Sequence, residues 1–138
     1  MTFLGIDLGQ KRIGLAISES GILARGYKTL VFSNRDLVIK EIIAIVQKEE
    51  VGKIVVGLPK LKSGTESSQT EFVRNFIQEL KTRTNISIAM TDEYLSSKEA
   101  ERLLKEMNPK ITKNRRAMRE KIDQMAAKLI LEQYLRTI

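Results

Sequence analysis

There is no cysteine and no histidine in the 138 residues of this chain. Those two absences remove zinc sites of the thiolate or imidazole type, cysteine nucleophiles and histidine general bases. Whatever chemistry the protein performs must run on carboxylates, hydroxyls, amines and a hard metal ion. A long apolar run is also missing. No stretch approaches the roughly 18 residues of a membrane span, and the amino terminus has no signal-peptide hydrophobic region. The expectation is a cytoplasmic protein with no membrane partner. Acids are the minority charge, 17 Asp and Glu against 24 Lys and Arg, which leaves +7 and a pI near 9.7. That balance favours a polyanionic partner, nucleic acid first, although a basic surface also serves solubility. At this length, with 42% hydrophobic residues, residues 1–138 are expected to form one domain around a real core.

The order of elements reads as mixed α/β. Residues 2–8, 11–18 and about 23–31 predict three strands joined by short turns, an antiparallel meander. Ser33 or Asn34 caps a helix whose Val38, Ile39, Ile42, Ile43, Ile45 and Val46 recur at helical spacing. The apolar run Lys53 to Pro59 reads as a strand buried on both faces and stopped by proline. A polar loop, Lys60 to Ser68, leads into a helix with Phe72, Val73, Phe76, Ile77 and Leu80 on one side. Ile86 to Met90 gives a fifth strand. Ser96 and Glu99 form a capping box for a helix carrying Ala100, Leu103, Leu104 and Met107, which Asn108-Pro109 ends. The closing helix places Ile122, Met125, Ala126, Leu129, Ile130 and Tyr134 on its buried side.

Three acids stand out. Asp7 lies inside the first apolar run, where an ionised carboxylate without a partner costs several kcal/mol, so a neutralising cation is one explanation; a tight hairpin with Asp7 capping its turn is the other. Carboxylate, water and phosphate are the ligands magnesium prefers, and the turn cations Lys11 and Arg12 are placed to meet the same phosphates. Glu93 follows the fifth strand, at the carboxyl end where parallel sheets build sites, whereas its neighbour Asp92 reads as the start of a turn. Asp123 shares a helix face with Ala126, Ala127 and Ile130, small enough to let that helix approach a sheet, although alone it also reads as a boundary-position surface acid. A three-strand meander followed by two helix-linked strands would bring Asp7, Glu93 and Asp123 together. Three carboxylates suit two Mg2+ or Mn2+ ions, which activate water and stabilise the leaving oxygen in phosphodiester hydrolysis.

Two further segments concern the substrate. Lys110, Lys113, Arg115, Arg116, Arg119 and Lys121 form a basic run, read either as a solvated linker or as an arm along a phosphate backbone. Ser63, Gly64 and Thr65, after Gly57-Leu58-Pro59, either make a strand-to-helix turn or offer backbone amides to a phosphate at a helix start.

The runs Gly5-Ile6-Asp7-Leu8-Gly9-Gln10-Lys11-Arg12-Ile13-Gly14, Val55-Val56-Gly57-Leu58-Pro59 with Ser63-Gly64-Thr65-Glu66, Asp92-Glu93, and Ile122-Asp123-Gln124-Met125-Ala126-Ala127 resemble the YqgF (RuvX) family, in order along nearly the whole chain. The resemblance implies an α/β, ribonuclease H-like fold close to RuvC-type resolvases, with a five-stranded mixed sheet. It implies a bacterial cytoplasmic nuclease that matures the 5′ end of pre-16S ribosomal RNA, with Asp7, Glu93 and Asp123 as its acidic, metal-holding site. One departure is Tyr94, where the family usually carries arginine; a tyrosine cannot replace the fork of guanidinium donors. Alternatives are resolution of four-way DNA junctions, which predicts a symmetric dimer, and a non-catalytic RNA- or DNA-binding factor. The chain shows no obvious interface, so a monomer or weak homodimer is expected. The Asp-x-Gly motif also resembles the phosphate-binding hairpin of the actin, sugar-kinase and heat-shock ATPase superfamily, but those proteins use two such domains and this chain has room for one.

Overall fold

The structure is a computed structural model that describes residues 1–59, 68–93, 97–107 and 114–138. The three leading apolar runs form β1 (Thr2–Leu8), β2 (Arg12–Ser18) and β3 (Arg25–Val31), an antiparallel meander as expected. β4 (Val51–Pro59) and β5 (Ser87–Glu93) add in parallel on the other side of β1, giving the order β3-β2-β1-β4-β5. The sheet is therefore the predicted five-stranded mixed one, and β1 with its Asp7 lies at its centre.

Helices cover both faces because alternate strand residues are apolar in both directions. Asn34, rather than Ser33, caps α1 (Arg35–Lys48), its side chain accepting from the amides of Asp36 and Leu37. α1 buries Val38, Ile39, Ile42, Ile45 and Val46, and α2 (Ser68–Arg83) buries Val73, Phe76, Ile77 and Leu80. Both pack on Leu4, Ile6, Leu8, Ile13, Leu15, Ile54, Val56 and Leu58. Each such side chain contributes about 1.5–3 kcal/mol when fully buried. The opposite face, with Phe3, Ala16 and Val55, receives α4 (Arg115–Leu135) through Ala127, Ile130, Leu131 and Leu135. α3 (Ser97–Met107) lies against α4.

Three local expectations change. α4 is apolar on two sides, since Met118 and Met125 with Ile122, Ala126 and Leu129 make a cluster separate from the sheet contact. A helix held between a sheet and another helix has no single buried side. β5 continues past Met90 to Glu93 because β4 runs to Pro59 and offers Gly57, Leu58 and Pro59 as partners, so Asp92 is a strand residue opposite Leu58. Met107, one of the apolar residues on which the reading of α3 rested, is exposed. Ser96 of the capping box and Asn108-Pro109 lie outside the described residues. Among the described residues no helix is long and apolar enough to cross a membrane.

Candidate active site

Register places Thr29 of β3, Gly14 of β2 and Asp7 of β1 in one row across the sheet. α4 is fastened along that row. Thr29 Oγ1 donates to the Glu120 carbonyl at 2.8 Å and accepts from Gln124 Nε2 at 3.3 Å. Beside it, a Cβ on Gly14 would overlap the carbonyl of Asp123. The helix backbone thus rests on bare strand backbone, and the next residue in the row is Asp7. Gly5 and Gly57 admit Leu131 and Ile130 in the same manner. Sequence spacing assigned the close approach to small residues of the helix; Ala127 is indeed buried, but the decisive missing bulk is on the sheet.

The β1–β2 turn completes the site. The Gly9 amide donates to the Arg12 carbonyl at 3.0 Å, and a Cβ at Gly9 would stand 2.5 Å from that oxygen, so this turn requires glycine. The Phe32 amide donates to the Lys11 carbonyl at 2.9 Å, holding the turn tip against the end of β3. From the start of β2, Arg12 Nε reaches across to Asp123 Oδ2 at 2.7 Å. Asp7, Lys11, Arg12, Gln69 and Asp123 line one cavity of about 420 Å³ with the backbone of the turn.

The electrostatics follow from this packing. Burial, and secondarily the Asp123 charge, lifts the Asp7 carboxyl from 3.8 to about 6. No described residue donates a hydrogen bond to it. Burial also raises Asp123, against the opposing pull of the Arg12 hydrogen bond and charge. A desolvated oxygen ligand without a hydrogen-bond donor, beside a second carboxylate in a polar cavity, is a donor set that suits a hard divalent cation.

The remaining predicted residues are distributed as follows. Glu93 ends β5 in register with Pro59, at the same end of the sheet as Asp7, two strands from it across β4 and two residues farther along. Among the described residues no three acidic side chains gather closely enough to hold a metal ion. Arg115, Arg116 and Arg119 are exposed in the first turns of α4, so this part of the basic run is helix rather than arm; Asn114 caps it by accepting from the Ala117 amide at 3.1 Å. Arg119 lies one turn before Asp123 and its charge lowers that carboxyl. Arg115 and Arg119 line a second cavity, of about 360 Å³, with Glu101, Lys105, Met118 and Ile122. Ser63, Gly64, Thr65, Tyr94 and Lys113 lie outside the described residues. Gln69 and Thr29 were not singled out by sequence. Gln69 had only its position at a helix start as a signal, and Thr29 had none.

With this geometry established, three comparisons place the chain among known proteins. The family model described as "RuvX: Holliday junction resolvase" matches residues 1–137. A protein of Nitratidesulfovibrio vulgaris named "Putative pre-16S rRNA nuclease" is 40% identical over 136 residues, 98% of this chain and 93% of that one. One of the same name from Thermoanaerobacter pseudethanolicus is 41% identical over 136 residues, covering 98% and 96%. Among solved structures, Thermus thermophilus RuvC superimposes with a TM-score of 0.58 at 10% identity, covering 99% of this chain and 95% of that one. At that identity the likeness is one of fold, and the fold is ribonuclease H-like.

Proposed function

The chain belongs to the RuvX family, and on that premise we propose that it is a divalent-metal-dependent nuclease acting in 5′-end maturation of pre-16S ribosomal RNA. The observation that carries this reading is the meeting of Asp7 and Asp123, from opposite ends of the chain, in one polar cavity with Lys11 and Arg12. Asp123 has Arg12 as its counter-ion, and desolvating Asp7 beside that pair is unfavourable for a fold that has no further cation to place against it. Asp7, Asp123 and Glu93 would hold Mg2+ or Mn2+; ions so held activate water and stabilise the leaving oxygen of a phosphodiester.

The chain's own groups do the rest. In this scheme the protein needs no nucleophile of its own, and water is the attacking group. Lys11, at the turn tip, and Arg12 present cations to the phosphate inside the cavity. Arg115, Arg116 and Arg119, with Lys113 before them in the sequence, hold the flanking strand by its phosphates, and Ser63, Gly64 and Thr65, which precede α2 in the sequence, are assigned to the same task through their amides. Tyr94 stands where the family usually has arginine, so the guanidinium nearest the carboxylates among the described residues is Arg12. We place the protein in the cytoplasm as one nuclease domain, monomeric or weakly dimeric.

Cleavage of labelled precursor ribosomal RNA, single-stranded RNA and a four-way DNA junction tests this in Mg2+, Mn2+ or chelator, with wild type beside Asp7→Asn. Metal-dependent cutting of the precursor that vanishes in the variant is expected. The family's description favours a second reading, junction resolution, and preferential cutting of the junction would establish it. Binding without cutting in both proteins would make the chain a nucleic-acid-binding factor.

A further inference from the structure

Arg12 stands in two relations at once. Its guanidinium lines the cavity where a substrate phosphate would lie, yet its Nε is 2.7 Å from Asp123 Oδ2. The pair is partly shielded, with the Asp123 side chain 16% exposed and that of Arg12 35% exposed. Lys11, its neighbour on the same turn and in the same cavity, is exposed and makes no ion pair with a described residue. A carboxylate oxygen pointed at a guanidinium is not free for a metal ion. The two cations therefore compete for Asp123, and whichever loses is left facing the cavity.

We propose that Arg12 is an exchangeable counter-ion: it occupies Asp123 until a divalent ion displaces it, and the displaced guanidinium then turns to the substrate phosphate. This rests on the reading of Asp7 and Asp123 as a metal site. It makes ion binding and phosphate binding cooperative through one side chain, because Nε is engaged by Asp123 in the pair, and a guanidinium released by the ion offers the phosphate Nε and an Nη together. Arg12 is a positioning residue in this scheme. Its fixed start on β2, opposite Val31, leaves only side-chain torsions to move.

The test is Mn2+ affinity, by titration calorimetry on the whole protein at low ionic strength, for wild type, Arg12→Gln, Arg12→Lys and Lys11→Gln. Arg12→Gln is expected to bind Mn2+ about tenfold more tightly, equivalent to about 1.4 kcal/mol. Lys11→Gln removes the same charge from the same cavity without touching Asp123, so its gain should be threefold or less. Arg12→Lys, a weaker competitor that keeps the charge, should fall between wild type and Arg12→Gln. A tightening of affinity is a direction that damage to the fold would not produce. Equal gains in Arg12→Gln and Lys11→Gln reduce the effect to net charge and overturn the proposal, as does weaker binding in Arg12→Gln; both outcomes leave the metal site standing. Absence of Mn2+ binding in all four proteins overturns the site and the proposal together.

Discussion

Replacing Asp7 by asparagine should stabilise the protein at neutral pH while destroying its site. The Asp7 carboxyl titrates at about 6 in the fold against 3.8 when unfolded, burial being the larger cause and Asp123 the smaller. With the folded value raised, ionisation opposes folding. The stability is fully present below pH 3.8, is lost as pH rises through the window from 3.8 to about 6, and stays lost above it. At about 1.36 kcal/mol for each pKa unit, the cost at neutral pH is of the order of 3 kcal/mol. Asparagine keeps the shape without the charge, and no hydrogen bond from a described residue is forfeited. Its amide brings two N–H groups that need acceptors, which returns part of the gain, so a net of about 1–2 kcal/mol is expected. For a chain of this length that is about 3–8 °C in Tm. Urea denaturation of both proteins between pH 4 and 8 gives the difference as a curve that should be near zero or reversed at the acid end and rise through the window. Adding Mn2+ should then stabilise wild type and leave the variant unmoved. A variant less stable than wild type at pH 7.5, or a difference flat with pH, would refute the reasoning.

Gly14→Ala should lower stability by about 2–3 kcal/mol and abolish cleavage, because the added methyl meets the Asp123 backbone and a helix cannot yield there as a flexible side chain would; a fold as stable as wild type in thermal denaturation would contradict the seating of α4. Glu50 is the one described non-glycine residue at positive φ, 54°, just past the end of α1, and Glu50→Gly should add about 1 kcal/mol, seen as a Tm rise with unaltered cleavage. Changing Arg115, Arg116 and Arg119 together to glutamine should weaken RNA binding alike for many sequences. The slope of log affinity against log salt should fall by about 2 if each arginine meets one phosphate of a single strand, and an unchanged slope would return these cations to a solvated role.

Much of this was legible because it is periodic. The meander, the two apolar parallel strands and the buried faces of α1 and α2 follow from alternation and helical spacing, and these elements formed where the pattern placed them. Asp7 was legible as an anomaly, an acid in an apolar strand. Asp123 was legible only by its face, and the face was half right: Ala127 and Ile130 meet the sheet, whereas Ala126 joins the Met118–Met125 cluster. The Arg12–Asp123 pair was not legible, since 111 residues separate the partners and nothing local in either requires the other. Thr29 was invisible for the same reason. A threonine in an edge strand looks like ordinary strand chemistry until a helix carbonyl is found above it. From Arg115 on, the basic run differs in form from the arm that clustered cations suggest, because arginine is a good helix former and Asn114 supplies the cap.

α4 is at once a layer of the core and the carrier of Asp123, so the site and the fold cannot be varied independently along it. Its first turn holds Arg115 and Arg116 and no acid, cations at the positive end of the helix dipole, each at a cost of about 0.3–1 kcal/mol, which for Arg116 the Glu120 carboxylate one turn on, at 3.6 Å, partly offsets. Asp7 adds its own desolvation. Both costs fall where a polyanion and a divalent ion would cancel them, and both are offset by Ala127, Ile130, Leu131 and Leu135 packing onto a sheet cleared by Gly5, Gly14 and Gly57. Inactive variants should therefore divide by the sign of their stability change. Those that remove a carboxylate whose ionisation burial opposes, as Asp7→Asn does, gain stability at neutral pH; those that lift α4 from the sheet, as Gly14→Ala does, lose it. That sign, measured beside activity, separates a residue that holds the ion from one that holds the helix.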